Sequence, residues 1–140
     1  MNVKSMAIRV LLTNFGFGGS DQGGEALAST LRDAGMDVVY TGNYCTPEEI
    51  VRAAIQEDVN AIGVNLISDT NMSKFFSIIK LLKEGDASDI KVFFSGAMNY
   101  EDVEDIKNQG VSEVLLKDAP SDEIVYKLLK IVLHLRSREA

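Results

Sequence analysis

The sequence predicts a doubly wound α/β domain: a five-stranded parallel sheet covered by helices on both faces. Three observations carry this reading. Strand-length apolar runs alternate with helix-period segments five times along 140 residues. Helix punctuation stands between them, with a start at Thr46-Pro47-Glu48-Glu49 and stops at Gly35 and Gly110. The length suits one domain, so residues 1–140 are read as a single unit with one core. Strands of a parallel sheet need a long crossover between them, and the helical segments supply it.

In order, Ala7 to Thr13 is the first strand, an Ile/Val/Leu-rich run broken only by Arg9 and ending at Gly16-Phe17-Gly18-Gly19-Ser20. From Asp21 to Ala34, Leu27, Leu31 and Ala34 recur at helical spacing, and Gly35 stops that helix. Met36 to Tyr40 is the second strand. The second helix opens on a capping box, with Thr46 as cap, Pro47 in the first turn and Glu49 reaching back, and it runs to Glu57. Ala61 to Asn65 is the third strand, and the helix from Asn71 to Glu84 gathers Met72, Phe75, Phe76, Ile79 and Leu82 on one side. Lys91 to Phe94 forms the fourth strand, Asn99 caps a helix from Tyr100 to Gln109, and Glu113 to Leu116 is the fifth strand. The last helix, Ser121 to Arg136, buries Ile124, Val125, Leu128, Leu129, Val132 and Leu135.

The expected strand order is the flavodoxin-like (Rossmann-like) 2-1-3-4-5. Ligands of such sheets sit beyond the carboxyl ends of the strands, near the reversal of strand order. The loops of interest are therefore Asn14–Gln22, Gly42–Thr46, Leu66–Asn71, Ser95–Asn99 and Lys117–Pro120.

Composition narrows the function classes. Hydrophobic residues make up 46% and charged residues 25%, as in a globular domain. A net charge of −7 argues against a nucleic-acid partner, because phosphate binding needs clustered Lys and Arg. No apolar stretch reaches the roughly 20 residues of a membrane span, and the first residues do not resemble a secretory signal. A cytoplasmic protein with no membrane partner is the expectation. The lone Cys45 can form neither an internal disulfide nor a structural zinc site.

The stretch Gly16-Phe17-Gly18-Gly19-Ser20-Asp21-Gln22-Gly23, together with Ala34-Gly35-Met36-Asp37-Val38, Thr46-Pro47-Glu48-Glu49-Ile50 and Asp58-Val59 before Gly63-Val64, resembles the cobalamin-binding domain family. The resemblance is to the C-terminal domain or small subunit of methylmalonyl-CoA mutase, and it covers nearly the whole chain. It implies a cobalamin-binding module, the small subunit or a relative of an adenosylcobalamin-dependent acyl-CoA mutase, with a larger mutase subunit or another protein as partner. By that resemblance the chain has no catalytic residues of its own and is at most the cofactor-binding subunit of an isomerase, since the radical chemistry belongs to the cofactor.

The family's G-x-D-x-H-x-x-G keeps Gly16 and Gly23, while Gly18 stands for its Asp and Ser20 for its His. The family's His is the lower cobalt ligand, oriented by the Asp. A serine hydroxyl is a poor ligand for this metal, so cobalamin is expected without a protein cobalt ligand. Asn65-Leu66-Ile67 replaces S-x-L, Ser95-Gly96 replaces G-G, and Leu116-Lys117-Asp118-Ala119 replaces G-P-G-T. The added Ser95 side chain and the Lys117 charge narrow the wall that the family offers the nucleotide tail. The implied cofactor-binding residues are Gly16, Gly18, Gly19, Ser20, Asp21, Gly23, Asn65, Ile67, Ser95, Gly96 and Lys117, with no metal ligand.

Several features have simpler readings. The Gly-rich loop serves equally as a strand-to-helix turn or as an anion cradle at a helix N-terminus, and it is neither a Walker A motif nor a dinucleotide fingerprint. His134 lies with Lys127, Lys130 and Arg138 on one solvated basic stripe. Cys45 has no histidine near it in sequence to activate it, and Asp69 and Asp86 are loop or cap residues. Met72, Phe75 and Phe76 read as core, whereas Phe17, Tyr44 and Met98 form an apolar group on the ligand-edge loops.

Two alternatives remain at this point. Four altered site motifs suit a degenerate interaction or regulatory subunit that binds no cofactor. The ending Gly110-Val111-Ser112-Glu113-Val114-Leu115-Leu116-Lys117 resembles the lysine-bearing fifth strand of receiver domains, although the first strand lacks their acidic pair and Asn65 stands near the phosphoacceptor position.

Overall fold

The computed structural model describes residues 8–15, 22–41, 46–66, 72–96, 100–108, 110–116 and 120–133. Its elements run β1 (Arg9–Phe15), α1 (Gln22–Asp33), β2 (Asp37–Tyr40), α2 (Pro47–Gln56), β3 (Ala61–Leu66), α3 (Met72–Glu84), β4 (Lys91–Gly96), α4 (Tyr100–Asn108), β5 (Glu113–Leu116) and α5 (Ser121–Leu133). All strand pairings are parallel and the order is β2-β1-β3-β4-β5, the flavodoxin-like order that the alternation of elements predicts.

Side chains alternate across each strand, so the sheet has two distinct faces. On one, Leu11, Ile62, Val64, Val92, Phe94 and Val114 pack against Ile50, Val51 and Ala54 of α2, Ile78, Ile79 and Leu82 of α3, and Ile106 of α4. On the other, Val10, Leu12, Ala61, Phe93 and Leu115 pack against Leu27, Ala28 and Leu31 of α1 and Leu128 of α5. At Gly63 on this second face the ring of Phe93 and the side chain of Leu12 occupy the space a β-carbon would need. Only glycine admits that approach.

Local signals do the rest. The capping box of α2 is present: the Glu49 N–H donates to Thr46 Oγ1 at 3.1 Å and the Thr46 N–H donates to Glu49 Oε1 at 2.8 Å. Gly35 ends the α1 turn at φ +95°, a conformation that favours glycine.

Arg9, the single charge in an apolar strand, is explained by the amino edge of the sheet. Its Nε meets Asp37 Oδ2 at 2.8 Å, its Nη1 donates to the Glu57 carbonyl at 2.9 Å, and its backbone N–H donates to Asn60 Oδ1 at 2.8 Å. One residue thereby ties β1 to β2 and to the turn before β3. Glu113, nearly buried at the start of β5, is held by Lys107 Nζ at 3.0 Å and accepts the Val114 N–H at 3.0 Å.

Two expectations need correction. Asn14, Leu66, Ser95 and Gly96, expected in loops, are strand residues. Asn14, Asn65 and Ser95 interrupt the apolar pattern, but the backbone ladder does not depend on side-chain polarity and continues through Asn14↔Asn65 and Asn65↔Ser95 to Leu66↔Gly96. In α5 only Leu128 is fully buried, while Ile124, Val125, Leu129 and Val132 are half-buried, because α5 flanks the sheet edge beside α1 rather than lying under a further layer. Leu135 lies outside the described residues.

Candidate functional site

Four strands end level at the carboxyl edge. Phe15, Leu66, Gly96 and Leu116 are partners across β1, β3, β4 and β5. One residue earlier stands a polar row, Asn14, Asn65 and Ser95, contributed by β1, β3 and β4. The row spans the β1/β3 boundary, where strand order reverses and doubly wound sheets bind ligands. By alternation the side chains of Asn65 and Ser95 belong to the α1/α5 face, the face of Ala61 and Phe93.

Asn65 and Ser95 are both half-buried. An amide and a hydroxyl there supply neutral donors and acceptors and no charge. Two residues back along the strands, about 6.6 Å deeper, Phe93 seated on Gly63 closes the same face with a fully buried ring. The edge is thus a polar shelf over an apolar floor.

Thr13, fully buried one residue before the polar row, marks where β1 changes from core to edge, and sequence reading overlooked it. A hydroxyl immediately after Val10-Leu11-Leu12 was the available signal. At the outer strand, the Thr41 N–H and Oγ1 both donate to the Leu12 carbonyl, at 2.9 and 3.3 Å, extending the polar margin beyond β2.

Of the residues implied by resemblance, the structure brings Asn65, Ser95 and Gly96 together at this edge and places Gly23 in the first turn of α1. Gly16, Gly18, Gly19, Ser20, Asp21, Ile67 and Lys117 lie outside the described residues, as do Phe17, Tyr44, Cys45, Asp69, Met98 and His134. Among the described residues no group of three or more His, Cys, Asp or Glu side chains could hold a metal ion. None of their helices is long and apolar enough to cross a membrane. A corrinoid carries a rim of neutral amide side chains, and the Asn65–Ser95 shelf fits that chemistry through hydrogen bonds without ion pairing.

Residues 8–117 match the model of the B12 binding domain, and the chain belongs to that family. It is 47% identical over 125 residues to the 2-hydroxyisobutanoyl-CoA mutase small subunit of Aquincola tertiaricarbonis, spanning 89% of this chain and 92% of that protein. Identity to the pivalyl-CoA mutase small subunit of Xanthobacter autotrophicus is 31%, over 84% of this chain and 79% of that one. The methylmalonyl-CoA mutase of Escherichia coli is 27% identical over 89% of this chain, which spans only 17% of that enzyme.

Among solved structures, a cobalamin-binding protein from Desulfitobacterium hafniense superposes with a TM-score of 0.74 at 17% identity, covering 89% of this chain and 59% of that one. A response regulator from Chloroflexus aurantiacus superposes almost as well, with a TM-score of 0.72 at 16% identity over 91% of this chain and 98% of that one. Likeness at such identities shows the fold alone, and the fold does not separate the two classes. The family match in sequence does.

Proposed function

We propose that this chain is the cobalamin-binding small subunit of an adenosylcobalamin-dependent acyl-CoA mutase, one that holds its corrinoid without a histidine on cobalt. The observation that carries this reading is the 47% identity to a mutase small subunit along nearly the full length of both chains. The polar shelf at the carboxyl edge supports it, because it lies at the switch point and offers neutral hydrogen-bonding groups.

In this reading the 140 residues act as one domain in the cytoplasm. Gly16, Gly18, Gly19, Ser20, Asp21, Gly23, Asn65, Ile67, Ser95, Gly96 and Lys117 would hold the cofactor. Bound adenosylcobalamin supplies the radical chemistry. The chain's own residues bind and orient it, and a larger mutase subunit provides the acyl-CoA site. Ser20 and Gly18 support a corrinoid held without a histidine on cobalt, since neither residue would supply an imidazole.

Titration with cobalamin, followed by visible absorbance and gel filtration, tests the reading. A corrinoid band that co-elutes with the protein is expected, and its absence at cofactor excess overturns cofactor binding. Cobalt ligation has its own readout in electron paramagnetic resonance of bound cob(II)inamide, which lacks the nucleotide base. The native chain should show no nitrogen splitting, while Gly18→Asp with Ser20→His should acquire it. Nitrogen splitting in the native complex would refute the ligand-free mode.

A second reading, an interaction or regulatory subunit without cofactor, is favoured by the changes at Gly18, Ser20, Asn65, Ser95 and Lys117. It expects no corrinoid band together with a stable complex with the large subunit.

A further inference from the structure

We infer that the groove between α1 and α5 docks a protein segment whose apolar face is flanked by lysine or arginine. The groove has a volume of about 490 Å³. Its floor is apolar, formed by Ala34, Val125 and Leu129, with Tyr126 beside them and the carboxylates of Asp33 and Asp122 in its lining. This inference does not depend on whether the chain binds a corrinoid.

Three observations converge. The helical spacing of α5 supplies Val125 and Leu129 for burial, yet both stay half-buried because the groove above them is open. Tyr126 is 60% exposed, and tyrosine is among the residue types enriched at the energetic centres of protein interfaces. Neither Asp33 nor Asp122 has an ion-pair partner among the described residues.

Two neighbouring cations have partners on this chain. Arg32 Nη2 points to the Val38 carbonyl at 3.4 Å, and Lys127 Nζ pairs with Glu123 at 3.4 Å. The two charged residues of the lining, Asp33 and Asp122, are both acidic, although Asp122 Oδ1 also accepts the Glu123 N–H at 3.0 Å, and this acidic lining favours a basic occupant. A second copy packed symmetrically on the same face would bring the same acidic lining to the groove, in a chain of net charge −7.

The test uses two labelled synthetic helical peptides of about 14 residues, or four turns. Both carry leucine at positions i, i+3, i+4 and i+7; one is flanked by lysine and the other by glutamate. Fluorescence polarisation should show binding of the lysine peptide only. Tyr126→Ala, a surface change that circular dichroism should show to be folded, is expected to weaken it about tenfold or more. Asp33→Asn with Asp122→Asn should weaken it about fivefold and flatten its salt dependence.

Equal affinity for the two peptides, absence of binding, or unchanged binding by Tyr126→Ala would overturn the inference. So would a concentration-dependent dimer of the free chain that Tyr126→Glu disperses, which would assign the groove to a second copy.

Discussion

The two faces of the sheet are built from the same strands to different ends. On the α2/α3/α4 face β3 presents Ile62 and Val64 and β4 presents Val92 and Phe94, large apolar side chains that are all buried. On the α1/α5 face the same strands present Ala61, Gly63 and Asn65, and Phe93 and Ser95: small residues, one ring that fills the space above the glycine, then a polar row. The first face is sealed by large apolar side chains along β3 and β4, with a cavity of about 190 Å³ at its margin beside Ile79, Leu82 and Val92. The second thins toward the carboxyl edge, and beside it α1 and α5 leave a groove open. Both faces carry a buried apolar cluster, but the polar row and the open groove lie on the second.

The largest effect that could break this contrast belongs to the sealed face. Phe94→Ala should cost about 3–5 kcal/mol in urea unfolding, because the cavity lies amid Val64, Val92 and Val114 with nothing to fill it. A loss near 1 kcal/mol would show that this face also yields. Next comes Gly63→Ala on the thinner face, with an expected loss of about 1–3 kcal/mol from overpacking against the Phe93 ring. Adding Phe93→Leu should recover part of that loss, and failure to recover any would place the clash elsewhere than at the ring.

Thr46→Ala removes the cap of a helix that belongs to the sealed face, and about 1 kcal/mol should disappear from the unfolding free energy. At the amino edge, common to both faces, Asp37→Asn should cost less than about 1 kcal/mol, since both partners of its Arg9 pair are substantially exposed. Thermal melts at low and high salt would show that small difference shrinking as salt rises.

Much of the fold was legible because its signals are local. The box at Thr46 and Glu49, the stops at Gly35 and Gly110, and the periodicity of Leu27 and Leu31 each act within one or two turns of chain. The strand ends were misjudged where hydropathy ceased to track hydrogen bonding, at Asn14, Ser95 and Gly96. Asn65 and Ser95 were found through resemblance, but their alignment with Asn14 in one row is a matter of register between strands. Nothing near Arg9 in the sequence points to Asp37, Glu57 and Asn60, and nothing near Glu113 indicates that its carboxylate is nearly buried.

By itself, then, the order of residues determined the element sequence, the β2-β1-β3-β4-β5 topology and the family, because alternating period, capping chemistry and crossover length are written along the chain. Only the tertiary structure decided which face of the sheet is sealed and which is thinned, where Phe93 comes to rest on Gly63, and that Val125 and Leu129 stay partly open. Those outcomes depend on residues 30 or more positions apart meeting in three dimensions, and register and helix placement, which set such meetings, are settled jointly by every packed element.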